Sequence, residues 1–269
     1  MAYDTGASDV QDTALSDKFD FCFDVSSFPK VKMGKGQRHV VVVLTGALAD
    51  GADFASQLAE TVGSSLRNHA QNSHIILVDE RGRAKTQAER NSLDVFKAAF
   101  GTVVNVEDVA PEVFRRYGGS SAGYDRLQAA SLTLVATALQ AQNVDYDYMI
   151  KMDVPLLLRH PHTLKDAFSV PSNADGKFVV RYRTGAASAG VNPQSRATAS
   201  QSDPAPGQWS SVCYAVPKKL NTVYLLQLRG GLRKTPTVGK DRAWIMESEL
   251  FRGIPESQLH VFAGGTSLE

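Results

Sequence analysis

Residues 39–46 read His-Val-Val-Val-Val-Leu-Thr-Gly, and this run limits what the chain can fold into more than any other. A strand with one wet face alternates apolar and polar residues. Here nothing polar stands between His39 and Thr45, so both faces must be covered, as in a mainly parallel sheet. A second run of this kind, His74-Ile75-Ile76-Leu77-Val78, ends in Asp79 and Glu80. Between the two, Phe54, Leu58, Val62 and Leu66 recur at helical spacing, and the helix stops before the Asn-bounded stretch at 68–72. Strand, helix, strand predicts a right-handed βαβ unit. The fold class that follows is α/β, with a mainly parallel central sheet and helices on both faces.

The pattern continues with a predicted helix at 86–100, a short strand at Val103-Val104-Asn105-Val106 and a glycine-rich loop at 117–123. A helix over 124–142, with Leu127, Ala130, Leu134 and Leu139 among its apolar positions, leads into the strand Tyr148-Met149-Ile150-Lys151-Met152-Asp153. Further on, the sequence predicts a helix at 163–168, strands at 177–182 and 211–216, a helix at 218–228 and a basic turn at 229–236. A last helix at 241–252 and a strand at 258–262 follow. Residues 184–207 are Ala, Ser, Gly, Gln and Pro without apolar periodicity, which predicts a mobile loop: either a lid or an insertion without a role. The organisation expected is an N-terminal extension at 1–37, partly disordered, one domain over 38–262 and a tail at 263–269.

Charge and cysteines narrow the function classes. Lys and Arg total 29 against 28 Asp and Glu, so a net charge of +1 gives no electrostatic case for a nucleic-acid partner or an anionic membrane. Two cysteines, Cys22 and Cys213, are too few for a disulfide framework and sit among apolar neighbours as core thiols. No apolar run reaches the roughly 20 residues of a bilayer span. The expectation is a cytoplasmic protein, or the soluble catalytic fragment of a longer chain.

One carboxylate stands out by position. Ligands of open α/β sheets bind beyond the carboxyl ends of the strands, and Asp153 is delivered to such an end by a buried run. The acidic pair Asp145 and Asp147, which has the spacing of a divalent-cation site, stands at the opposite end of the same strand and reads as a strand-entry feature. The loop at 118–123 precedes a helix, as phosphate cradles do, but lacks the Lys-Ser/Thr of a P-loop and the spacing of a dinucleotide fingerprint. His160 and His162 flank Pro161 and read as a turn. Trp209 and Trp244 suit either a sugar platform or core packing.

The segment YDRLQAASLTLVATALQAQNVDYDYMIKMDVPLLLRHPHTL resembles the centre of GT-A fold glycosyltransferases, nearest the β-1,3-galactosyltransferase-like group. In that group an apolar strand reads roughly fvlKtDDDvfv. Here Lys151 and one aspartate, Asp153, stand in the pattern and the other acidic positions are missing. WSSVCYAVPKKLNTVY and DRAWIMESELFRGIPESQLHVF follow where the family has an acceptor-pocket strand and an acidic helix. The resemblance covers residues 38–262 as layout, and motif-level content is confined to the surroundings of Asp153.

It implies a GT-A type, Rossmann-like sheet in the nucleotide-diphospho-sugar transferase superfamily. The activity implied is transfer of a sugar from a nucleotide-diphosphate sugar, UDP-linked, to an acceptor hydroxyl, of a glycan above all, with inversion and with Mn2+ or Mg2+. Asp153 and His260 are the implied metal ligands. Glu247, Glu249 and Asp241 are the candidate bases; Glu247 and Glu249 point to different sides of a helix, and Glu247, nearer its start, is preferred. Thr45, Gly46, Asp79 and Glu80 are implied at the donor nucleotide, with Lys151. Arg81, Arg83, Lys234, Lys240 and Arg242 are candidates for its phosphates. Two competitors remain: a non-catalytic relative that binds a nucleotide, glycan or protein, and a sugar-phosphate nucleotidyltransferase. The latter should carry a basic residue in its first glycine-rich turn, where LTGALADGADF has none.

Overall fold

The computed structural model describes residues 25–33, 39–45, 54–66, 73–80, 82, 86–117, 124–159, 174, 176–180, 213–233, 250–251 and 253–261. The expected βαβ unit opens the sheet: β1 (Val40–Thr45), α1 (Phe54–Leu66) and β2 (Ser73–Asp79). Then come α2 (Gln87–Phe100), β3 (Gly101–Asn105), two short helices, α3 (Val106–Val109) and α4 (Pro111–Tyr117), and the long α5 (Tyr124–Ala141). The chain continues through β4 (Tyr148–Asp153), α6 (Val154–Arg159), β5 (Phe178–Val180) and β6 (Cys213–Pro217). A 3-10 turn at Lys218–Leu220, α7 (Asn221–Arg233), a second 3-10 turn at Glu256–Gln258 and β7 (Leu259–Val261) complete the described elements.

These strands form one seven-stranded sheet in the order β3-β2-β1-β4-β6-β5-β7. β3, β2, β1 and β4 are mutually parallel, β6 runs antiparallel to β4 and β5, and β7 is parallel to β5. The architecture is therefore the α/β, Rossmann-like one expected. Alternation along β1 fills two cores. Val41 and Val43 face α4, α5 and α7, while Val40, Val42 and Leu44 face α1, α2 and α6. That two-sided burial is why the run carries no polar residue.

Local sequence accounts for several boundaries. Thr86 caps α2: its side chain accepts from the Glu89 amide, while the Glu89 carboxylate takes the Thr86 amide at 2.7 Å, a reciprocal capping box. Gly101 closes the helix at φ 134°, where a Cβ would stand 2.9 Å from the Ile75 carbonyl oxygen, so this turn needs glycine. The third strand starts two residues earlier than its apolar pattern suggests, and Val106 opens α3 instead of ending it. α7 runs on through Gly230 and Gly231, which the sequence places in a turn. Leu225, Leu228 and Leu232 carry its apolar stripe past the glycines into the core, and that burial outweighs the cost of about 1 kcal/mol per helical glycine.

Part of the predicted N-terminal extension belongs to the packed body. Phe28 is buried in the core below α5, and Val25, Val31 and Met33 pack beside it. The Gln142 side chain ties this segment down, accepting from the Val31 amide at 2.9 Å and donating to the Pro29 carbonyl at 3.1 Å. At the other end, Leu250 and Phe251 sit buried in a turn where the sequence predicts the close of a helix. The expected helix at 163–168, the loop at 184–207, the tail at 263–269 and the rest of the extension fall outside the described residues.

Candidate functional site

The chain leaves β1 for α1 on one face of the sheet and reaches β4 from α5 on the other. Those two strands therefore form the topological switch point of the sheet, and in open α/β sheets the carboxyl ends at such a point are where ligands bind. Thr45 and Asp153, the last residues of β1 and β4, are register partners there.

Three donors converge on one oxygen of Asp153. Its Oδ1 accepts from the Lys151 ammonium at 2.6 Å, the Thr45 hydroxyl at 2.9 Å and the Gln128 amide at 3.1 Å. The second Gln128 amide hydrogen goes to Thr45 Oγ1 at 3.2 Å, so the hydroxyl accepts from α5 while donating to the carboxylate. All hydrogen bonds to Asp153 among the described residues fall on Oδ1. The other oxygen, Oδ2, is left to whatever enters the crevice, and none of these bonds comes from the backbone of α6.

The strand period explains the charge pairing. Lys151 and Asp153 are two apart on β4, hence on the same face, the one covered by α5. The Lys151 side chain is 0% exposed and that of Asp153 is 19% exposed, so the lysine is interior and the aspartate stands at the mouth. An isolated buried ammonium is prohibitively costly. Asp153 supplies its countercharge, and the ring of Tyr214 lies 5.8 Å from the ammonium. Behind that ring the Tyr214 and Tyr224 hydroxyls share a hydrogen bond at 2.7 Å. Burial lifts the Tyr214 hydroxyl well above its ordinary range, and Tyr224 and the charge on Asp153 push it the same way.

Several residues expected at the site are interior. Lys151, placed at the donor by the sequence, is wholly interior and bonded to Asp153. Thr45 is likewise buried, with its hydroxyl committed to the same network. Asp79 and Glu80 lie at the carboxyl end of β2, on the expected edge, but both are buried. Asp79 accepts from the Asn105 side chain at 3.3 Å.

Asp153 and His260 are not brought together. His260 pairs with Val179 and shares its face, which is the α1 side of the sheet, whereas Asp153 lies on the α5 side. Their strands are three apart in the sheet order, about 14 Å at the usual strand spacing. One ion cannot take ligands from both at about 2 Å. Among the described residues no group of three or more His, Cys, Asp or Glu is placed to hold a metal. The divalent cation implied by the resemblance therefore does not fit the described donor set.

Asp145 and Asp147 stand at strand entry, as expected. The Asp147 carboxylate takes the His39 amide at 2.7 Å, and Asp145 meets Lys218 at 3.2 Å in solvent. Gly46, Arg81, Arg83, Lys234, Lys240, Asp241, Arg242, Glu247 and Glu249 lie outside the described residues. So do the loop at 118–123, His160, His162, Trp209 and Trp244. The sequence reading missed Gln128, although a signal existed: a glutamine flanked by Leu127, Ala129 and Ala130 in a buried helix must find a partner inside.

No family model matches the chain, and no curated protein matches it. Among solved structures, 4-diphosphocytidyl-2C-methyl-D-erythritol synthase from Anaerococcus prevotii is similar at 15% identity and a TM-score of 0.44, over 84% of this chain and 88% of that one. A glycosyltransferase involved in the glycosylation of the major capsid of PBCV-1 is similar at 10% identity and a TM-score of 0.37, over 83% of this chain and 81% of that one. Likeness at this level concerns the layout of the sheet and carries no argument about the reaction. No helix among the described residues is long and apolar enough to cross a membrane.

Proposed function

We propose that this chain transfers a sugar from a nucleotide-diphosphate sugar, UDP-linked, to the hydroxyl of a glycan acceptor, with the donor seated in the crevice between β1 and β4. One observation carries the reading: a carboxylate at the switch point of an open α/β sheet, anchored through Oδ1 by three donors, with Oδ2 at the mouth. An anchored acceptor of this kind suits the hydroxyl groups of a ribose or a hexose, because the order is built in before the ligand arrives.

Inverting transfer also needs a base for the acceptor hydroxyl and positive charge for the departing diphosphate. Glu247, Glu249 or Asp241 fills the first role in this proposal, and Arg81 and Lys240 fill the second. A second reading, a binding relative without turnover, draws support from the same ion pair, because Lys151 already neutralises the carboxylate at the mouth.

A panel of nucleotide-diphosphate sugars, scored by release of the nucleoside diphosphate with and without a glycan acceptor, tests the proposal. One donor should turn over and lose most of its rate in Asp153→Asn. Turnover that survives in the variant would remove Asp153 from the site. Binding without turnover across the panel favours the second reading.

A further inference from the structure

The ion pair of Lys151 and Asp153 has a consequence for how the crevice handles charge. Oδ1 already accepts three hydrogen bonds, one of them from an ammonium at 2.6 Å. Bidentate capture of a cation by this carboxylate would need that oxygen. Monodentate capture at Oδ2 would place a divalent ion one carboxylate width and one coordination bond from a cation that cannot withdraw, because Lys151 is 0% exposed. His260, the second ligand expected from the sequence, is on the other face of the sheet.

We propose that Asp153 binds its ligand without a divalent cation: Lys151 supplies the positive charge from inside the protein, Thr45 and Gln128 fix the carboxylate, and Oδ2 accepts hydrogen bonds from ligand hydroxyl groups. Lys151, Thr45 and Gln128 are positioning residues, since each acts through Asp153. The inference rests on the nucleotide-sugar reading above and specifies how that site works.

The test is calorimetric binding of UDP to the full chain in EDTA and again in Mn2+. Wild-type protein should bind UDP with the same affinity in both, and Mn2+ alone should leave the melting temperature unmoved. Lys151→Met frees Oδ1 and removes the internal charge, so its UDP affinity should fall roughly tenfold or more in EDTA and recover on adding Mn2+. That gain of metal response is something a merely structural lysine would not produce. If Lys151→Met does not fold, Thr45→Val keeps the ion pair and removes one anchor, and it should weaken UDP without creating a metal response.

A comparison of UDP with 2′,3′-dideoxy-UDP identifies the hydroxyls. Weaker binding of the dideoxy compound assigns them to the ribose. Equal binding, with tighter capture of a UDP-sugar than of UDP, assigns them to the sugar. UDP bound by wild type only in Mn2+ overturns the metal-free proposal and leaves the nucleotide-sugar reading standing. UDP and UDP-sugars bound in neither condition overturn both.

Discussion

Removing the carboxylate of Asp153 should cost far more stability than removing its partner. In Asp153→Ala the Lys151 ammonium, at 0% exposure, loses the carboxylate that stands 2.6 Å from it. Breaking a buried pair from that side costs about 3–5 kcal/mol. In a domain of this size each kcal/mol moves the midpoint by about 2–4 °C, so the melting temperature should drop by roughly 6–20 °C. In Lys151→Met the remaining carboxylate is already at the mouth and keeps Thr45 and Gln128, which limits the loss to about 1–2 kcal/mol. The double variant, with both charges gone, should be more stable than Asp153→Ala alone, because apolar replacement of an ion pair is often neutral. Urea denaturation at neutral pH, followed by circular dichroism and compared at constant m, measures all three. An Asp153→Ala cost below about 1 kcal/mol, or a double variant weaker than either single one, would refute the reasoning that Lys151 is a buried cation dependent on Asp153. The practical consequence is that Asp153→Asn, which keeps an oxygen near Oδ1, is the variant for functional work.

Other consequences lie away from the mouth. Tyr224→Phe should destabilise by about 1–3 kcal/mol because it strands the buried Tyr214 hydroxyl, and Tyr214→Phe on top should add little; a double-mutant cycle measures the coupling. His74 bridges the Lys32 carbonyl and the Thr102 hydroxyl, and burial lowers its pKa below the ordinary 6.5, outweighing the opposing backbone hydrogen bond to Lys32. The unfolded chain takes up this proton first as pH falls, so stability is fully present above pH 6.5 and is lost as pH drops through the lowered folded value. His74→Gln should flatten that part of a melting-temperature profile taken on the acid side of neutrality. Thr86→Ala removes one half of the capping box on α2 and should cost about 1 kcal/mol, read as a drop of a few degrees in thermal melting.

The sequence foretold the parts of the fold whose reason is local. β1 and β2 carry continuous apolar runs, and β4 carries one broken only by Lys151, because both of their faces are covered, and a run of that kind has few alternatives. Asp145 and Asp147 could be placed at the opposite end of β4 from Asp153 on position alone, since the order of the run gives the strand its direction. What was not legible depends on pairing across long separations. Gln128 meets Asp153 because α5 covers the end of β4, and Lys151 turns inward because its face is the one under α5. His260 seemed available as a partner until the register with Val179 put it on the opposite face. The glycines of α7 illustrate the same limit, because Leu228 and Leu232 hold the helix together through contacts that local propensity does not contain.

The central claim is that a nucleotide-diphosphate sugar is held at the end of β4 by Asp153. Calorimetric titration of UDP and a panel of UDP-sugars into folded wild-type protein and folded Asp153→Asn, side by side, addresses it most directly. The account predicts that at least one ligand binds wild type and loses roughly tenfold or more in affinity in the variant, the scale of a hydrogen bond to a charged group. Equal affinity for both proteins, or no binding to either, would contradict it.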